Sequence, residues 1–163
     1  MKYEVDIDIN LSRDKVIALF DNVENLKHWQ PGFVSFEPIS GTPGTVGAKS
    51  RITYKMGKRD LEMIETITKR NFPEEFFATF ETKGVYNLQE CHFIIVDKNT
   101  TKWKSVNEFK CSGLIKLIAF LMPKMFKKES MKYMLAFKDF AEGANWFAWN
   151  PVVQDFNILW KSD

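Results

Sequence analysis

Residues 113 to 140, GLIKLIAFLMPKMFKKESMKYMLAFKDF, carry more apolar helix than a chain of 163 residues can leave in water. From Phe126 onward, about 100° per residue gathers Phe126, Ser130, Tyr133, Met134, Phe137, Phe140 and Ala141 on one stripe. Lys128, Lys132 and Asp139 fall opposite. Pro123 has no amide hydrogen to give, so the helix must kink or break near residue 122. The apolar run at 114–122 is interrupted or bounded by Lys116, Pro123 and Lys124, well short of the ~20 residues that a membrane span requires. Such a stripe needs a surface to cover.

The preceding residues can supply one. KYEVDIDI places Tyr3, Val5, Ile7 and Ile9 on one face and charges on the other, the period of a half-buried strand. Ser12 is suited to cap a helix, and Leu11 can staple onto Val16. Val16, Leu19, Phe20 and Val23 then form a short stripe, and NVENLKHWQPGF gives a second helical piece stopped by Pro31-Gly32. From residue 33 to 111 the pattern is strands separated by turns, with SGTPGTVG as a loop. KMGKRD reads as a hairpin with Gly57 first in a two-residue turn. That register pairs Tyr54 with Leu61, Ile52 with Met63 and Ser50 with Glu65 on one face, and Lys55 with Asp60 on the other. A turn at Lys83-Gly84 sets Phe76, Ala78 and Phe80 opposite Cys91, Gln89 and Asn87. After DKNTT, Trp103, Ser105, Asn107 and Phe109 alternate with charged residues.

Composition excludes several function classes. The net charge is +2 and the charges of both signs are interleaved, so no basic block is present to track nucleic-acid phosphates. His28, His92, Cys91 and Cys111 lack zinc-ligand spacing, and no cofactor is implied. The N-terminus lacks the apolar run of a signal peptide, and two cysteines make no disulfide framework. The expectation is a cytoplasmic, soluble protein with reduced thiols.

The order of strand, two short helices, six strands and long C-terminal helix resembles the helix-grip fold of the START-like superfamily. That superfamily includes Bet v 1-like and polyketide cyclase/dehydrase-like proteins. The residues that carry the likeness are NLKHWQPG, GTPGTVGA, MIETITKRNFPEEF with Glu65 and Pro73, GVYN with Asn87, TKWKSVNEF and FKDFAE. The resemblance implies an α+β domain over 1–142, in which a curved antiparallel sheet of about seven strands wraps the long helix. It also implies a cavity between them that takes a hydrophobic small molecule. Residues 143–163, rich in Trp, match nothing in that pattern. They are expected to pack on the domain, to form an interface (a homodimer contact included), or to be partly disordered.

Within such a cavity the inward residues become candidates. Met63, Phe80, Trp103, Phe126 and Phe137 would form apolar wall, and Tyr54, Glu65, Asn87, Asn107 and Tyr133 the convergent polar groups. Each has a plainer reading as core or as a self-satisfied amide. Glu65 divides most sharply. It is either bonded at a strand end to backbone, Arg51 or Lys69, or it is a polar anchor or general acid/base within the cavity. His92 is expected on the solvent face and Cys91 inside as an inert thiol.

Three functions are expected of such a chain. The first is binding or transport of a lipid, isoprenoid or aromatic. The second is a cyclase or dehydratase using Glu65, the one catalytic candidate. The third is an interaction module, using the outer-face residues Ile64, Phe77, Leu88 and Ile94 with the tail to meet a protein or a membrane surface.

Overall fold

The structure, a computed structural model, describes residues 1–143. The expectations for the Trp-rich tail lie outside the described residues. The elements are β1 (Lys2–Ile9), α1 (Arg13–Phe20), a 3₁₀ turn (Val23–Asn25) and α2 (Leu26–Trp29). Six strands come next: β2 (Phe33–Ser40), β3 (Lys49–Met56), β4 (Arg59–Asn71), β5 (Glu75–Thr82), β6 (Val85–Asp97) and β7 (Thr100–Cys111). Two helices close the described chain, α3 (Gly113–Leu121) and α4 (Pro123–Ala141). The strands form one antiparallel sheet in the order β1-β7-β6-β5-β4-β3-β2, an open meander whose ends are the first two strands.

The hairpin registers are those that the alternation requires. Tyr54 faces Leu61, Ile52 faces Met63 and Ser50 faces Glu65 across β3–β4. Phe76, Ala78 and Phe80 face Cys91, Gln89 and Asn87 across β5–β6. Gly57 has φ 63°, a left-handed value that a side chain resists and the tight turn needs. Gly32 is fixed by crowding as well: a Cβ there would lie 2.6 Å from the Lys55 carbonyl oxygen, with φ at +74°. On the outer face, cross-strand ion pairs such as Lys104–Glu4 (2.8 Å) and Lys55–Asp60 (2.8 Å) replace apolar contact.

One end of the grip is solid. Phe20 from α1 meets Phe93 at 5.0 Å, Trp103 at 5.4 Å and Phe137 at 5.8 Å between ring centroids, edge to face in each case. Val5, Ile9, Val16, Trp29 and Met134 complete that cluster. The α4 stripe is laid against it, with Met134, Ala136 and Phe137 fully buried. Tyr3 pins α4 to β1, its hydroxyl 2.9 Å from Ser130 Oγ and 3.0 Å from the Phe126 carbonyl oxygen that it donates to.

Two local expectations need correction. Ser12 occupies the N-cap position of α1, but its side chain makes no capping hydrogen bond. The helix does break at Met122 and Pro123 begins α4, as expected, but the apolar segment before it does not lie buried against the sheet as a cover. Ile115 and Ile118 of α3 are half-buried, whereas Leu114, Leu117, Phe120 and Leu121 are exposed. A helix that is apolar nearly all round, Lys116 excepted, but touches the sheet on one side must show the remainder outward.

Candidate functional site

Beyond the aromatic cluster the sheet curls away from α4 and encloses a cavity of about 330 Å³. The inward positions of β3 through β7 form its floor, because every second residue on a strand points the same way. The face of α4 from Met125 to Met134 forms its roof, with residues spaced three or four apart. Exposed Asp21, Val23 and Pro43 are also in the lining, so the cavity reaches solvent beside the 3₁₀ turn and the 41–48 loop.

The structure brings Tyr54, Met63, Glu65, Phe80, Asn87, Trp103, Asn107, Phe126 and Tyr133 together around this space. Phe137 does not join them. It has no exposed surface and is packed among Phe20, Trp29, Trp103 and Phe140, so it is core rather than wall. Trp103 has a mixed position: it lines the cavity, yet its exposure is 3% and its ring belongs to the same aromatic cluster.

Glu65 projects into the cavity from the middle of β4. The strand-end pairing is ruled out, because Arg51 bonds Glu37 and Glu62 outside the sheet and Lys69 bonds Glu75. No hydrogen bond or ion pair joins the Glu65 carboxyl to a described residue. What surface it has faces the cavity, away from bulk water, and this desolvation pushes its pKa from 4.5 up to about 7. Near neutrality it is therefore poised between acid and carboxylate. Tyr54 donates its hydroxyl to Gln30 Oε1 at 2.6 Å. Burial, with smaller pushes from Tyr133 and Glu65, holds that phenol well above its usual range. The Tyr133 phenol is raised by burial and then by Glu129, so both tyrosines remain neutral donors.

A small polar ledge crosses β6 and β7. Asn107 Nδ2 donates to Ser105 Oγ at 3.0 Å and Gln89 Nε2 to the same oxygen at 3.2 Å. The amide oxygens of Gln89 and Asn107 have no donor among the described residues. Asn87 Nδ2 reaches the Leu88 carbonyl at 3.3 Å and that of Glu108 at 3.5 Å, weak satisfaction for a buried amide. The indole N–H of Trp29 is buried with no acceptor among the described residues. Cys91 sits behind the ledge with its thiol pushed up to about 12, chiefly by burial, which makes it a poor nucleophile. His92 lies on the outer face, 3.3 Å from Glu75 and edge-on to Phe77. No cluster of His, Cys, Asp or Glu able to hold a metal ion occurs among the described residues.

Several lining residues escaped the sequence reading. Gln89 shares the parity of Asn87 and Cys91, so the hairpin register already carried its signal. Glu129, three residues after Phe126 and four before Tyr133, is on the roof and pairs with Lys132 at 2.5 Å. Arg70 is less accessible to sequence reasoning. A bulge between Ile67 and Lys69 shifts the β4 register, which turns Arg70 inward to meet Asp21 at 2.5 Å beside the opening.

No family model matches the chain, and no curated protein matches it in sequence. Solved structures do match. A conserved protein from Geobacillus kaustophilus superposes with a TM-score of 0.73 at 13% identity, over 88% of this chain and 97% of that one. Ara h 8.0201 gives 0.70 at 14% identity, over 88% and 98%. Norcoclaurine synthase from Thalictrum flavum, solved in complex with dopamine and hydroxybenzaldehyde, gives 0.66 at 17% identity, over 88% and 87%. The fold is the Bet v 1-like helix-grip fold. Identities this low carry the architecture and leave the chemistry to this chain's own residues.

Proposed function

We propose that residues 1–142 form a domain that binds a hydrophobic small molecule bearing at least one polar group, and that the protein acts as a carrier or sensor of it in the cytoplasm. The observation that carries this reading is the cavity itself. A filled core would be expected to place large aliphatic side chains where this chain has Ser105, Asn107, Asn87 and Glu65. The apolar floor and roof, Ile52, Met63, Phe80, Met125 and Phe126, suit a short acyl chain, an isoprenoid or a few fused rings. Glu65 and the free amide oxygens of Gln89 and Asn107 suit a hydroxyl or amine donor on that ligand. The free thiols of Cys91 and Cys111 fit a reducing compartment.

Binding at micromolar levels is expected, roughly 8 kcal/mol, because burial of apolar area is partly offset by ordering of ligand and side chains. Displacement of an environment-sensitive dye by fatty acids, isoprenols and polycyclic aromatics tests it. Saturable displacement that Phe80→Arg abolishes while the protein stays folded is the expected result. Equal displacement in that variant would place the dye elsewhere and remove the reading.

A second reading, acid–base chemistry on the bound molecule, is favoured by the near-neutral Glu65 alone. It ranks below binding because the nearby Tyr54 hydroxyl is committed to Gln30 and no second group is hydrogen-bonded to the carboxyl. Turnover lost in Glu65→Gln with dye binding retained would reverse that order.

A further inference from the structure

α3 turns one edge toward the protein and the rest away. Ile115 lines the cavity and rests on the β5–β6 turn, where a Cβ on Gly84 would come within 3.3 Å of its Cδ1. At about 100° per residue, Leu114, Leu117, Phe120 and Leu121 fall on the far arc. They are 52%, 53%, 81% and 65% exposed, and Phe120 is the most exposed large apolar side chain among the described residues. Met122, at the break before α4, extends the patch. Scattered surface leucines need no explanation, but a contiguous apolar helix face does.

Along this stretch of chain the charge has one sign. Residues 113–128 contain Lys116, Lys124, Lys127 and Lys128 and no acid. Lys116 borders the apolar arc, and Lys124 and Lys127 are exposed on the first turns of α4. An apolar surface bordered by cations is complementary to the boundary of an anionic bilayer. Leucine and phenylalanine can enter the acyl edge while lysines meet the phosphates. No helix among the described residues is long and apolar enough to cross a membrane, so the contact is interfacial.

We propose that α3 is an interfacial docking element for anionic membranes. The same helix supplies cavity wall through Ile115 and the docking face through Leu117 and Phe120, which sets the cavity beside the acyl region when the protein is bound. A poorly water-soluble ligand then has a short path between bilayer and cavity. The docking surface stands apart from the ligand-binding reading, since vesicle binding needs no occupant in the cavity and either can fail alone.

Flotation of the full chain with vesicles tests it, using phosphatidylcholine and phosphatidylserine at about 3:1 against phosphatidylcholine alone. The expected result is flotation with the anionic vesicles, weakened by added salt and much reduced with the neutral ones. Combining Leu117→Ser with Phe120→Ser should lower binding at least about tenfold, because the apolar area that enters the bilayer is removed. Its melting temperature should not change, as both side chains are exposed. Lys116→Glu with Lys124→Glu should weaken anionic binding selectively. Absence of flotation by the full chain overturns the proposal, as does full binding by the Leu117/Phe120 variant. Binding that appears only after truncation at Gly143 would mean that residues 144–163 cover α3, and binding lost by that truncation alone would assign the contact to them. A dimer that the Leu117/Phe120 variant dissociates, without vesicle binding, would make a second copy the occupant. Each of these three results also overturns it.

Discussion

Glu65 is a carboxyl placed where an apolar side chain would be more stable, and its cost depends on pH. Its pKa in the folded protein, about 7, lies above the ordinary 4.5, so the folded state holds a proton that the unfolded chain has released. The contribution to stability is fully present below about pH 4.5, declines as pH rises through the folded pKa, and is gone above it. The span corresponds to at most about 3 kcal/mol. Denaturant unfolding of Glu65→Gln should therefore show that decline removed and stability at pH 8 raised by about 1–3 kcal/mol. A variant with the parent's pH profile would mean that the carboxyl is solvated or paired. Bound ligand that donates a hydrogen bond to Glu65 should pull its pKa down again. Cys91 offers a second check at this scale. With its thiol buried and held at about 12, alkylation of the native protein should modify the half-buried Cys111 and spare Cys91 until the protein unfolds. Mass spectrometry of peptides after a timed reaction reads this directly.

At the scale of elements, the division between packed core and cavity wall decides what a substitution costs. Phe137 is surrounded by rings on α4's buried face, and Phe137→Ala should cost about 3–5 kcal/mol. Phe80 already borders empty space, so fewer contacts are lost, and Phe80→Ala should cost less than about 2 kcal/mol. Equal losses from the two, measured by chemical denaturation, would show that no such division exists. Both phenylalanines lie on inward faces that alternation and helical period predict, which is why the strands, registers and α4 stripe were legible in the sequence. Periodicity says which face a residue takes and stays silent on how far that face is filled. Phe137 thus read like Phe80. The β4 bulge was harder, because one extra residue reverses the parity of the rest of the strand and no turn residue marks it, so Arg70 and its partner Asp21 were missed. The outward turn of α3 was also hidden, since a run whose one polar residue is Lys116 gives little direction to its own hydrophobic face.

For the whole molecule, the curved sheet holds α4 by one end and leaves the other end open. The aromatic cluster of Phe20, Phe93, Trp103 and Phe137 supplies rigidity, and the strands that extend past it carry the floor of a space that α4 cannot fill. Stability and binding are thus assigned to different halves of the same inner surface. A cavity-directed ligand should touch one half and leave the other nearly undisturbed, with the outer face unaffected. Methyl resonances report this directly, because Met63, Met125 and Ile52 line the cavity, while Ile94, Ile95 and Val96 lie exposed at the far end of β6. Titration of methyl-labelled protein with a hydrophobe selected by dye displacement should shift Met63, Met125 and Ile52 together with one saturation curve, and leave Ile94 to Val96 in place. Shifts confined to the exposed methyls, or none in the cavity at saturating ligand, would contradict an internal binding site.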